Sequence, residues 1–288
     1  MTDKKISRLD RQIEELKEDY GKDILDTCEE KKSWGSASLD QVLGGLPNRI
    51  VQLYGKEGAG KSTLALLTIA NEQKKGKRCA YIDSEFGYST EYAASLGVDT
   101  QKLLVVQKCI MEDIIDIVIR LVMCSDIGII VLDSLPALVP KIVEEDFVEK
   151  QDLTKKHVAD RARLMSEALN LITGYCKEYG NTFIIINQLR EKIGILFGNP
   201  KTIPGGKALK HYSSQMVEII PAKKIEKIVK GITYTVGREL IIVADKNKIS
   251  PPLIQCHVPI IFGKGLQEHK AEFHKLSSEE LDKIFKEE

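Results

Sequence analysis

The stretch Ile50–Leu67, IVQLYGKEGAGKSTLALL, decides how the chain is read. IVQLY (50–54) is a short apolar run of strand type, and Lys61–Lys75 reads as a helix. Between them Gly55, Lys56, Glu57, Gly58, Ala59, Gly60, Lys61 and Ser62 fit the pattern G-x-x-x-x-G-K-[ST]. A strand before and a helix after are the context that separates a phosphate loop from a chance Gly-rich turn. Glycines let backbone N–H groups curl round a polyphosphate without Cβ clashes. The helix beginning at Lys61 adds its positive dipole end. Lys61 is placed to reach the β and γ phosphates, Ser62 to offer a hydroxyl to Mg²⁺, and Thr63 to extend the nucleotide-facing segment. The expected cofactors are ATP and Mg²⁺.

Working outward, RCAYID (78–83), LLVV (103–106), IGIIVLD (127–133) and TFIIIN (182–187) are further strand candidates, with helices over 111–124 and 157–179. Strands with little internal polarity alternating with helices predict a mostly parallel sheet covered on both faces, an α/β fold. After residue 215, MVEII, TYTV, RELIIVAD and HVPIIF carry no helices between them and predict antiparallel edge strands; AKKIEKIVKG (222–231) reads as a basic turn or hairpin tip. Ile6, Leu9, Ile13 and Leu16 recur at helical spacing, so 5–20 is a short amphipathic helix. SSEELDKIFKEE opens with a capping box at Ser278 and predicts a short terminal helix.

Several strand ends carry polar groups near the phosphate loop. Asp133 closes the apolar strand IGIIVLD, where an acid can join the Mg²⁺ shell. Asp83 and Glu85, at and just beyond the end of CAYID, are both candidates for activating water. Gln188 follows FIIIN and can contact the γ-phosphate.

Composition narrows the remaining classes. The chain has 288 residues, 42 basic and 42 acidic side chains, and 43% hydrophobic residues. That suits a substantial core and excludes a globally basic nucleic-acid coat. No apolar run approaches the ~20 residues of a membrane span. MTDKKISRLDRQIEELKEDYGK lacks a signal-peptide h-region, and six scattered cysteines without a CxxC pair read as free thiols, which predicts a reducing, cytoplasmic setting.

Together these residues resemble the RecA recombinase family. The resemblance runs in order through 49–67, 81–98, IIVLDSLPALVP (129–140), 161–170, IIINQLREKIGILFGNPKTIPGGKALKHY (184–212) and KNKI (246–249), covering roughly 5–265. It implies a RecA-like ATPase core in which Glu85 activates the attacking water and Gln188 senses the γ-phosphate. Tyr92 then stacks on adenine, and Lys246 and Lys248 reach the ATP of the neighbouring protomer. It also implies two DNA-binding loops. The second, 189–206, places Arg190, Ile193 and Phe197 among breakers, and Gly205, Gly206 and Lys207 at the following helix start. The first, about 141–160, is longer and more acidic than the usual pattern; Phe147, Lys155, Lys156 and His157 lie in it. Arg163 and Ser166 match DNA contacts on the next helix. Asn170 and His211 stand where an Arg and an interfacial Phe are common.

The expected organisation is an N-terminal docking helix and linker (1–34), the ATPase core (35–265) and a short C-terminal tail (266–288), with the family's C-terminal domain missing or reduced to the last helix. The implied function is a DNA-dependent ATPase of homologous recombination, DNA repair and the SOS response to DNA damage. It would form a helical filament on single-stranded DNA and engage double-stranded DNA during pairing, with no membrane partner. Two alternatives stand beside it: an accessory RecA-like paralogue without strand exchange, and a ring-forming helicase-type ATPase.

Overall fold

Apolar runs and helices alternate along the chain because the phosphate-loop strand lies inside a sheet buried on both sides. The structure is a computed structural model and describes residues 8–20, 31–144, 158–191, 201–267 and 272–275. Strand β1 (Ile50–Gly55) is buried along its whole length. It pairs in parallel with β5 (Thr182–Gln188) on one side and β8 (Gln215–Val229) on the other. Beyond β5 lie β4 (Ile127–Asp133), β2 (Arg78–Asp83) and β3 (Leu103–Gln107), all parallel. Beyond β8 come β9 (Ile232–Asn247) and β10 (Ile254–Ile261), antiparallel, with β11 (Gly265–Leu266) and β12 (Glu272–Lys275) on β10. A separate two-stranded piece joins β6 (Arg190–Glu191) to β7 (Lys201–Thr202). The expected α/β sheet is therefore present, with β9 and β10 antiparallel towards its edge; MVEII, expected to be antiparallel, lies in β8 and pairs in parallel with β1, and TYTV and RELIIVAD are one continuous strand, β9.

The period-two alternation of β1 splits the core. Val51 and Leu53 face a cluster with Trp34, Leu39, Leu64 and Ile69, supplied partly by α2 (Ala37–Leu43) and α3 (Lys61–Lys74). Ile50 faces the other cluster, with Ile82, Met111, Ile114, Leu169 and Ile172. That side is covered by α5 (Met111–Val122) and α6 (Val158–Glu178). Helix α2 went unread in the sequence because it is short, although Ser36 caps it by accepting from Leu39 N at 3.2 Å and Gly44 ends it at φ 74°. Helices α4 (Thr90–Ser95) and α7 (Gly206–Tyr212) are shorter.

Of the two readings of 222–231, the hairpin holds and the basic turn does not: 222–229 is strand. Pairing continues through Val229↔Ile232, and only Lys230 and Gly231 turn, at φ 51° and 77°. β-Branched residues on both arms favour continued pairing over an early loop. The predicted terminal helix lies outside the described residues. The chain forms two compact units, Met1–Glu30 and Lys31–Glu288. In the first, α1 (Arg8–Tyr20) carries Leu9 and Leu16, both exposed. In the second, Trp34 is fully buried. No helix among the described residues is long and apolar enough to cross a membrane. Cys79, Cys109, Cys124, Cys176 and Cys256 form no disulfide, while Cys28 lies outside the described residues.

Candidate nucleotide site

The C-terminal ends of β1, β2, β4 and β5 meet at the phosphate loop, as parallel sheets place their ligand crevices. Gly55 has no alternative there, since a Cβ would sit 2.3 Å from the Ile219 carbonyl oxygen on β8. Gly58 and Gly60 hold φ 66° and 91°, and nothing lies within 4 Å of a Cβ at Gly58, so the cradle opens outward. Lys61 folds over the loop, donating from Nζ to Lys56 O at 2.9 Å and Gly55 O at 3.2 Å. Burial pulls its pKa below the ordinary lysine value; Asp133, Glu85 and Glu57 oppose that shift.

Ser62 Oγ donates to Asp133 Oδ2 at 2.5 Å, and Tyr81 OH donates to the same oxygen at 2.5 Å. Burial raises the Asp133 pKa, with these two hydrogen bonds working against it and the nearby Glu85 and Asp83 adding to it. A hard divalent cation fits the pair: it would take one hydroxyl and one carboxylate from this chain, the remaining ligands being phosphate and water oxygens.

Glu85 Oε1 accepts from Ser134 Oγ and from Gln188 Nε2, the latter at 3.2 Å. The ends of β4 and β5 are thus tied to the segment after β2. Asp83, the other water-activating candidate, is committed elsewhere. Buried at the end of β2, it accepts from Gly87 N at 3.2 Å, Tyr88 N at 2.9 Å and Gln107 Nε2 at 3.0 Å. These bonds shape the turn that presents Glu85, in which Phe86 adopts φ 57°. Gln107 carries no signal in the sequence, since its partner lies across the sheet.

Beside the loop is a recess of about 480 Å³, within the usual range for a ligand pocket. Glu57–Thr63 line one wall; Arg238 and Leu240 of β9, with Ile260 and Phe262, line the other. Thr63 Oγ1, which lines the recess, and Tyr92 OH are hydrogen-bonded at 2.7 Å. The second wall was invisible in the sequence: HVPIIF reads as a strand, and only the return of β10 brings its end to the phosphate loop.

Lys246 and Lys248 are not brought to this chain's own phosphate loop. Asn247 pairs with Gln215, and Gln215 with Val51, four residues before Gly55. At a rise of about 3.3 Å per residue the two lysines sit on the order of 13 Å below the loop, at the opposite end of the sheet. Lys246 Nζ donates to Lys210 O at 2.5 Å and His211 O at 3.2 Å. Burial, then Lys248 and Lys210, lower its pKa. Lys248 lines a second cavity, about 260 Å³, with Arg49, Lys177 and His211.

The DNA-contact candidates fall into three groups. On α6, Arg163 Nε donates to Glu167 Oε1 at 3.0 Å in an exposed pair, and Ser166 is half-buried. Around the second loop, Arg190 pairs with Thr202, framing 192–200. Gly205 and Gly206 open α7 at φ 103° and 67°, and Lys207 is exposed on it. Asn187 Nδ2 donates to Pro204 O at 2.6 Å, fastening the end of β5 to the end of this loop. Ile193 and Phe197 lie outside the described residues, as does 145–157 of the first loop.

The family profile of the RecA N-terminal domain matches residues 7–267. The chain belongs to the RecA family. It is 46% identical over 235 residues to Protein RecA of Kineococcus radiotolerans and 45% identical over 235 residues to that of Mycobacteroides abscessus. Each match covers 81% of this chain and 65% of the relative, so the chain spans under two thirds of the length of these RecA proteins. Its fold is similar to the crystal structure of the RadB recombinase, with a TM-score of 0.57 at 20% identity, over 82% of this chain and 98% of that one.

Proposed function

We propose that this RecA-family chain is a DNA-dependent ATPase that assembles as a helical filament on single-stranded DNA and promotes pairing with a homologous duplex. The observation that carries this reading is the division of the site. The phosphate loop and Glu85 lie at one end of the sheet, while Lys246 and Lys248 lie at the other. One chain cannot close both halves on one nucleotide; stacked copies can, end to end.

In this reading Lys61 leaves the loop carbonyls to meet phosphate, and the Gly58–Gly60 backbone cradles it. Magnesium, when held by Ser62 and Asp133, would neutralise charge on the β and γ phosphates. Both hydrogen bonds to Glu85 land on Oε1, and Oε2 is the oxygen offered to water. Gln188 would exchange its bond to Glu85 for one to the γ-phosphate, and because it ends β5 that exchange reaches 189–206. The base would rest beside Thr63, stacked on Tyr92, which is hydrogen-bonded to it. Lys246 and Lys248 of one copy would stabilise charge developing on the phosphoryl group held by the next, and α1 would dock on an adjacent copy. Arg163, Ser166, Arg190, Ile193, Phe197, Gly205, Gly206 and Lys207 would contact DNA, mainly its backbone.

The test is electron microscopy with single-stranded DNA and a non-hydrolysable ATP analogue, alongside turnover with and without DNA. Open helices and DNA-stimulated turnover are expected. Closed rings, or equal turnover by monomers without DNA, would overturn the proposal.

A further inference from the structure

The recess beside the phosphate loop holds a cation with no role in the chemistry proposed so far. Arg238 lines it together with Glu57–Thr63. Its Nε is buried and has no hydrogen-bond partner among the described residues. A buried donor of a charged group carries a desolvation cost that a ligand oxygen would remove. Register explains why the sheet does not supply that oxygen. Arg238 lies opposite Lys224 on β8 and Ile260 on β10, and neither side chain can accept. The adjacent acid, Glu239, falls on the other face by strand alternation and is hydrogen-bonded to His257. Glu57, the acid in the lining, does not reach Nε.

Strand order fixes which part of a nucleotide faces Arg238. β1, which runs into the phosphate loop, has β5 and β4 on one side and β8 and β9 on the other. Asp133, Glu85 and Gln188 gather on the β4–β5 side. Arg238 stands two strands away on the opposite side, about 10 Å from β1 at roughly 4.8 Å per strand. The γ-phosphate end of a bound nucleotide therefore points away from it. Leu240, two residues along β9 on the same face, closes against Gly60, where a Cβ would stand 3.4 Å from its Cδ1. Arg238 and Leu240 thus form one wall facing the Gly60–Thr63 turn. A guanidinium that offers Nε works side-on: Nε–H and one Nη–H run parallel and match two oxygens of one phosphate.

We propose that Arg238 is a nucleotide-binding residue that grips the α-phosphate of ADP or ATP within its own chain, side-on through Nε and Nη. Its charge selects an anionic group over the ribose. The strand order selects the α-phosphate over the γ-phosphate. Adenine matches the fork poorly, because its N7 acceptor lies beside the N6 amino donor. ADP and ATP both carry this phosphate, so the grip outlasts hydrolysis and holds the product as well as the substrate. This role rests on the recess being the ATP site.

The test is isothermal titration calorimetry of the unassembled full-length protein. The ligands, each with Mg²⁺, are ADP, a non-hydrolysable ATP analogue, and the two diastereomers of ADP with sulfur replacing one α-phosphate oxygen. In Arg238→Gln, ADP and the ATP analogue should both bind about thirtyfold more weakly, for the loss of one bidentate charge-assisted pair. Arg238→Lys should recover part of that loss, since it keeps the charge and loses the fork. The wild type should bind at least one sulfur diastereomer less tightly than ADP, and Arg238→Gln should lose that discrimination. Wild-type affinity for ADP in Arg238→Gln would overturn the proposal. So would a loss confined to the ATP analogue, which would place Arg238 on the γ-phosphate. Weaker binding with the sulfur discrimination intact would also overturn it, by making Arg238 a brace for the fold or a contact to the nucleoside. The titrations need neither DNA nor assembly. Closed rings or DNA-independent turnover would therefore overturn the proposed function and leave the grip standing, while a wild type that binds no nucleotide would remove both.

Discussion

Asp83→Asn separates holding the turn that carries Glu85 from the chemistry proposed for Glu85 itself. In the wild type, Oδ1 accepts from Gly87 N, and Oδ2 accepts from Tyr88 N and Gln107 Nε2. Asparagine offers one oxygen. If it keeps the Oδ2 position, its amide faces the Gly87 N–H, donor against donor. One charge-assisted bond is lost at about 2 kcal/mol and two become neutral at about 1 kcal/mol each, so the turn loses roughly 3–4 kcal/mol. That turn also holds Phe86 at φ 57°, a backbone state costing about 1–2 kcal/mol outside glycine. Loosening it moves Glu85 off Ser134 and Gln188. A misplacement of about 1 Å costs on the order of 100-fold in rate. The expected result is a kcat near one hundredth of wild type with the KM for ATP within about threefold, because the phosphate loop shares none of these bonds. The assay is steady-state turnover with single-stranded DNA, paired with nucleotide binding. A wild-type kcat, or a raised KM at unchanged kcat, would refute the reasoning.

Other consequences are as direct. Asp133→Asn should abolish Mg²⁺-dependent turnover yet melt higher than wild type at neutral pH. The native pKa of Asp133 is raised by burial, so its unfolded form binds fewer protons and wild-type stability falls as pH rises from the ordinary carboxylate range through the native value. The gap between the two melting curves should close in acid; a constant gap would contradict this cause. Lys61→Ala and Lys248→Ala proteins should each be slow alone and partly active when mixed, and mixtures no better than either parent would argue against a shared site. Gly55→Ala should cost about 3 kcal/mol or more, since the obstructing atom is a backbone oxygen. Gly58→Ala should cost only about 1–2 kcal/mol, for its left-handed backbone. Equal melting shifts would remove the close-approach argument.

The local half of this protein was legible in its residue order. Apolar runs located β1, β2, β4 and β5 to within a residue, because strands buried on both faces tolerate few polar interruptions. The phosphate loop was equally plain, since glycine spacing, lysine and hydroxyl act within one turn of chain. What depended on strands meeting across the sheet was not legible. Asp83 and Glu85 look alike in sequence, and only the Gly87, Tyr88 and Gln107 donors make one a brace and leave the other facing Ser134 and Gln188. The Arg238–Phe262 wall has the same origin: pairing partners far apart in the chain. Residue order determined which groups could handle a phosphate. The sheet register decided that the phosphate loop and the Lys246–Lys248 pair lie at opposite ends of one molecule, because a strand transmits position at a set rise per residue and cannot fold back to close the distance.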